Sequence, residues 1–236
     1  MDKYYVYEGT IIFNCEFDEP LDEYIGIIKN YKKLIFSNYP NYRLCIETNN
    51  EYNYEYNYDY NEKYKGSKFN QPVKGALNNL TLLQSITFGN DFNQPVEGAL
   101  DNLINLQQLT FGNRFNQPVE GALNNLTQLQ QLTFGFYFNQ ELEIPFNIKI
   151  LKLNCNNKII DYLPNSIEEL YLGCFFGLEL NNLPNSIKIL SFNKNSDYDK
   201  ELNNLPKSLE KLLLPKEYCK EIKNINPRCI IIKKIY

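Results

Sequence analysis

The sequence predicts a stacked-repeat solenoid of the α/β type, dominated by short parallel strands with loop, turn or 3-10 return limbs. Three observations carry this. First, the stretch from Phe111 to Leu123 occurs almost unchanged from Phe88 to Leu100, and in part again from Phe134 to Phe138-Asn139-Gln140, at 23-residue steps. Self-similarity at such a period marks repeat proteins, in which one supersecondary unit stacks on the next. Second, each copy has an apolar-x-apolar centre with another apolar residue three positions earlier: Leu106 before Leu109, Ile167 before Leu170, Leu209 before Leu212. Third, Gly and Pro follow each centre closely, and steps of about 19–23 residues leave little room for a full helix on the return.

Taken in order, the strand centres fall at Ile11-Ile12-Phe13 and Leu34-Ile35-Phe36, then at a poorer turn, residues 63–68, that leads into Phe69-Asn70-Gln71-Pro72-Val73. The clean copies follow. Later centres are Leu151-Lys152-Leu153, Leu170-Tyr171-Leu172, Leu190-Ser191-Phe192, Leu212-Leu213-Leu214 and Ile230-Ile231-Ile232. This gives about eleven turns in one solenoid, 1–236. Its parts are N-terminal turns (1–48), a Tyr/Asn/Glu-rich insertion (49–62), FNQP-type 23-residue repeats (63–145), LPNS-type repeats of 19–22 residues (146–215) and a C-terminal cap (216–236).

The LxxLxL pattern is the leucine-rich-repeat signature, in which a short strand lines the concave side of the coil. Alternation along the strand sends Leu109 and Phe111 inward and Gln108 and Thr110 outward. The expected concave face is therefore Ser85, Thr87, Gln108, Thr110, Gln131, Thr133, Lys152, Glu169, Tyr171 and Ser191. Two residues past each strand stand Cys15, Asn38, Ser67, Asn90, Asn113, Phe136, Cys155 and Cys174. A bend inside a solenoid leaves buried peptide groups in need of partners. Cys15, Asn38, Asn90, Asn113, Cys155 and Cys174 are thus expected to form an inward structural ladder. The recurring Phe17, Phe69, Phe92, Phe115 and Phe138 read as a core spine.

The second half repeats Leu163-Pro164-Asn165-Ser166-Ile167, Leu183-Pro184-Asn185-Ser186-Ile187 and Leu205-Pro206-Lys207-Ser208-Leu209. Together with FNQPV, these residues resemble the FNIP-repeat family, a leucine-rich-repeat relative found in giant DNA viruses of amoebae and in social amoebae. Gln stands here where the family has Ile. Some members resemble fusions of an F-box to such repeats, which would imply ubiquitin-ligase recruitment. No F-box-like segment is visible in residues 1–48, where the repeat starts at once.

Composition narrows the chemistry. With no histidine, the usual general base and the commonest zinc ligand are missing. No GxxxxGK[ST] loop, GxSxG elbow or GxGxxG fingerprint occurs. Acidic neighbours such as Glu168 and Glu169 point to opposite faces of an extended segment. Neither a catalytic residue, a cofactor nor a metal site is expected. Cys219 and Cys229, beside Lys220 and Arg228, are the one thiol pair with cationic neighbours; they read first as cap residues of a reduced protein.

The net charge of −4 and the lack of a basic stripe argue against nucleic acid, and no apolar run approaches the ~18 residues of a membrane span. Six cysteines without CxxC spacing, and a start without a leader-like apolar segment, fit reduced thiols in a cytoplasm, that of a host for a viral protein, or in a virion. The expected function is a non-catalytic scaffold that binds a protein of unknown identity through the concave face. The alternatives are a structural part of a virion or larger assembly, or ubiquitin-ligase recruitment without an F-box.

One segment departs from the repeat. Glu51 to Tyr60 alternates tyrosine with Asn, Glu and Asp. It reads either as a tyrosine-lined contact loop or as a low-complexity insertion looped out of the coil. In both cases it lies outside the core, and closure entropy grows slowly with loop length. Deleting residues 51–59 should leave a cooperative thermal transition, monitored by circular dichroism. Loss of that transition would place these tyrosines in the core.

Overall fold

The computed structural model describes residues 2–37 and 66–233, arranged in two compact units, Met1–Leu129 and Gln130–Tyr236. The first unit contains β1 (Tyr4–Tyr7), β2 (Thr10–Phe13), β3 (Lys33–Phe36), β4 (Ser85–Thr87) and β5 (Gln108–Thr110). β1 is antiparallel to β2, while β2 through β5 pair in parallel and in chain order. The second unit contains β6 (Gln131–Phe134), β7 (Ile150–Leu153), β8 (Glu169–Leu172), β9 (Ile189–Phe192), β10 (Lys211–Leu214) and β11 (Ile230–Lys233), again parallel and sequential. Each unit is thus a length of leucine-rich-repeat-like solenoid. Its return limbs are turns and short helical pieces, among them α1 (Ile25–Ile28) and 3-10 segments at Leu21–Tyr24 and Lys158–Tyr162.

The register makes every residue the neighbour of its own counterpart. Ile86 pairs with Leu109, and Leu151 with Leu170 and then Leu190, all fully buried. In the first unit two columns of phenylalanine result. Phe13, Phe36, Phe88 and Phe111 stack at ring-centroid steps of 5.5, 5.9 and 5.7 Å. Phe17, Phe69, Phe92 and Phe115 stack at 5.9, 5.9 and 6.0 Å. Each ring also meets its partner in the other column: Phe88 lies 4.0 Å from Phe92, and Phe111 lies 3.9 Å from Phe115. Such pairs add ~0.5–1.5 kcal/mol beyond area burial, and these rings are wholly or almost wholly buried. They are a spine, not a ligand box.

The same contact joins two stretches into one turn. Phe36 lies 3.8 Å from Phe69, the equivalent of the Phe88–Phe92 pair, and β3 pairs directly with β4. Residues 34–36 and 66–73 therefore belong to one turn, with residues 38–65 inserted inside it. Residues 63–65 lie outside the described residues. Among the described residues ten strands run parallel, close to the expected count of about eleven turns.

Two kinds of glycine allow the stacking. An added Cβ at Gly112 would lie 2.0 Å from the Gly89 carbonyl oxygen, so here the backbones of successive turns approach as closely as glycine permits. Gly98 and Gly121 instead hold φ of +69° and +79° in the turn after Pro-Val-Glu, a conformation that side chains with a Cβ resist. Gly112→Ala should destabilise by ~2 kcal/mol or more, because the clash is with backbone that cannot swing aside. Gly121→Ala, with open space around it, should cost about 1 kcal/mol. Urea midpoints would check the order; a larger loss at Gly121 would contradict it.

Candidate functional site

Along β3, β4, β5, β7, β8 and β10 the buried residues alternate with half-buried or exposed ones, and the latter form the outer face of the sheet. In the first unit Ser85 pairs with Gln108 and Thr87 with Thr110. In the second, one row runs Thr133, Lys152, Tyr171, Ser191, Leu213 and the next Gln131, Ile150, Glu169, Ile189, Lys211. The expected face residues therefore do sit at outward register positions, divided between the units. They are not equally accessible. Thr133 is 3% exposed and Ser191 4%: the first is short and stands beside Lys152, the second between Tyr171 and Leu213. Gln108 is exposed, while Thr110, Gln131, Lys152, Glu169 and Tyr171 are half-buried.

Three of these make one cluster. The Lys152 Nζ lies 5.4 Å from the centre of the Tyr171 ring, a cation–π distance. The Tyr171 hydroxyl donates to Glu169 Oε2 at 2.6 Å. The alternation of β8 projects Glu169 and Tyr171 to the same side, and parallel register sets Lys152 beside the ring. An aromatic ring is thereby fixed by a cation on its face and by a carboxylate at its tip.

The inward ladder is more varied than the sequence indicated. Cys15 and Cys155 are buried, and Cys174, Asn90 and Asn113 are half-buried. Asn38 lies outside the described residues. At this level the backbone itself links the turns: Lys68 N–H donates to the Cys15 carbonyl, Asp91 to Ser67, and Arg114 to Asn90, at 2.8–3.1 Å. Phe136 instead makes an edge contact with Tyr137 and with Phe175, which are 59% and 42% exposed, giving an aromatic surface patch.

Other ladders were missed, although the signal was in the repeat. The Asn93 side-chain oxygen accepts from the Asn116 N–H at 2.9 Å and from the Gln117 amide at 3.2 Å. Asn70 does the same for Asn93 and Gln94, and Asp18 for Asn70 and Gln71. Invariance of Phe-Asn-Gln between turns is this chain of bonds. In the LPNS half the serine serves: Ser186 and Ser208 hydroxyls donate at 2.7 Å to the carbonyls of Ile167 and Ile187. Buried Asn157 is a third such bridge, accepting from Ile159 N–H and donating to the Gln140 carbonyl.

Cys15, Cys155, Cys174, Cys219 and Cys229 are free thiols. Burial pushes the Cys155 thiol up to about 12 and also raises Cys15, Cys174 and Cys229. For Cys229 that is the opposite of an activated nucleophile. No cluster of three or more acidic or thiol side chains able to hold a metal occurs among the described residues, and none of their helices is long and apolar enough to cross a membrane.

Comparison with known proteins agrees with the geometry. Residues 138–175 and 177–217, both in the second unit, match the FNIP Repeat family model. The fold resembles that of CroV588, described as a novel circular LRR protein structure, with a TM-score of 0.50 and 23% sequence identity. That likeness, one of fold, covers 93% of this chain and only 39% of CroV588. No curated protein matches the sequence. The chain thus has a leucine-rich-repeat-like fold, and two segments of its second unit match the FNIP Repeat model.

Asn93→Ala removes the acceptor for two donors of the next turn and should cost ~1 kcal/mol. Asn102→Ala, at an exposed position of the same turn, should stay within ~0.5 kcal/mol of wild type. Indistinguishable denaturation midpoints for the two variants would show that the Asn-Gln chain adds nothing to stability.

Proposed function

We propose that the chain is a non-catalytic protein-binding scaffold, acting on a host or viral protein through the outer, concave face of its strands. The centre of the face is Lys152, Glu169 and Tyr171. The carrying observation is the fixed tyrosine: its ring lies under the Lys152 ammonium and its hydroxyl is bound to Glu169. No core demand explains an aromatic at this outward position. A half-exposed tyrosine flanked by both charge signs offers amphipathic contact area whose rotamer is already ordered, the composition of a binding hot spot. Gln131 borders the cluster in the second unit, and Gln108 and Thr110 offer a neutral face in the first. This reading needs no cofactor, metal, nucleic acid or membrane, and it suits a host cytoplasm or a virion.

A structural role in a larger assembly is the second reading. It is favoured by exposed aromatic surface, among it Phe146, Tyr162, Tyr137 and Phe175.

Cross-linking of the tagged chain in cells, followed by titration of the captured protein, separates the two. Tyr171→Ala and Glu169→Lys should each weaken binding by tenfold or more, ~2 kcal/mol for a hot spot, with melting curves unchanged. Full affinity in both variants would move the interface off this face and favour the structural role.

A further inference from the structure

The aromatic patch of the second unit has a regular build. Phe134, Leu153 and Leu172 are paired in register at the ends of β6, β7 and β8, and the third residue past each is Tyr137, Asn156 and Phe175. All three are exposed, Tyr137 by 59% and Phe175 by 42%. Beside them, one residue earlier, stand half-buried Phe136, buried Cys155 and half-buried Cys174. The Phe136 ring meets Tyr137 at 4.8 Å and 78°, and Phe175 at 5.1 Å and 67°, so one ring braces the other two. Asn156 is shorter than either exposed ring, and the row is therefore two aromatic ridges with a dip between them. The floor of the dip is oriented. Asn156 Oδ1 accepts from the Gly177 N–H at 2.7 Å, which leaves the amide nitrogen as a donor without an acceptor among the described residues. None of these six residues is charged.

Such a row suits a neutral chain that offers acceptors, lacks donors and repeats at the spacing of the ridges. A polyproline II segment has these properties. It returns to the same face every third residue, after about 9.3 Å, and two turns of the solenoid span about 9.6 Å at the usual strand spacing. Proline carries a carbonyl acceptor and no N–H, which matches a dip whose amide donates and whose own oxygen is already used. Its fixed φ leaves little backbone freedom to lose on docking. Aromatic-lined grooves are the surfaces on which such segments dock, and a charged ligand would find no counterion in the row. We propose that Tyr137, Asn156 and Phe175 form a docking row for a proline-rich segment of a partner protein. Two prolines one helical repeat apart pack against the two rings, and a carbonyl between them accepts from the Asn156 amide. The row lies past the strand ends, apart from the Tyr171 cluster on the strand faces, and does not depend on it.

The test is binding of dye-labelled decaproline to the full chain, followed by fluorescence anisotropy. Wild type should bind it, and should bind a flexible glycine–serine peptide of equal length at least about tenfold more weakly. Tyr137→Ala and Phe175→Ala should each weaken decaproline binding by about tenfold or more. Asn156→Asp keeps the oxygen that holds Gly177 and loses the donor, and should weaken binding to a similar degree. Phe146→Ala removes an aromatic ring that is 83% exposed but precedes β7, and should leave the affinity unchanged. Melting curves would verify that the variants fold; if Phe175→Ala melts early, Phe175→Leu replaces it. A β-linked glucose oligomer, which could stack on the same rings, should not compete. Competition by it would assign the row to carbohydrate and overturn the proposal. Wild type that does not bind decaproline, equal binding of the glycine–serine peptide, or full affinity in Tyr137→Ala would each overturn it as well.

Discussion

Everything in this fold follows from one spacing. Parallel strands of successive turns lie about 4.8 Å apart, so each inward side chain rests on the residue one repeat away. A side chain must therefore pack against a copy of itself. Phenylalanine does so by offset stacking, with Phe92 and Phe115 inclined at only 2°. Asparagine does so by accepting from the next asparagine's N–H, and serine by donating to the preceding turn's carbonyl. Glycine does so by having no side chain at all, as at Gly112 over Gly89. Repetition in the sequence is thus the stacking condition written once per turn.

This explains what was legible. The parallel strands, their order and their inward faces could be read from LxxLxL because that pattern is what stacks, whereas the antiparallel β1 lies outside the pattern and could not. The Phe spine was legible for the same reason. The Asn-Gln chain was visible as invariance but not as a bond, since it joins residues 23 or 24 apart through loop geometry that periodicity does not encode. The inward ladder was read one position at a time, and there the structure is heterogeneous: cysteines are buried, Asn90 and Asn113 are half-buried, and Phe136 meets a surface patch. Phe36 and Phe69 stand far apart in sequence yet their rings meet at 3.8 Å, a pairing that the 23-residue step alone does not give.

The outer face is where the stacking condition relaxes. A residue there still neighbours its counterpart, but solvent accepts any polar side chain, and composition can drift from Thr and Gln to Lys, Glu and Tyr. Drift alone would leave such side chains scattered in orientation. Lys152, Tyr171 and Glu169 are instead tied to one another. The candidate site was legible as positions and not as an arrangement: Thr133 and Ser191 have outward register yet stay buried because their neighbours are longer. Accessibility on a ladder depends on relative side-chain size, which a list of outward positions does not contain.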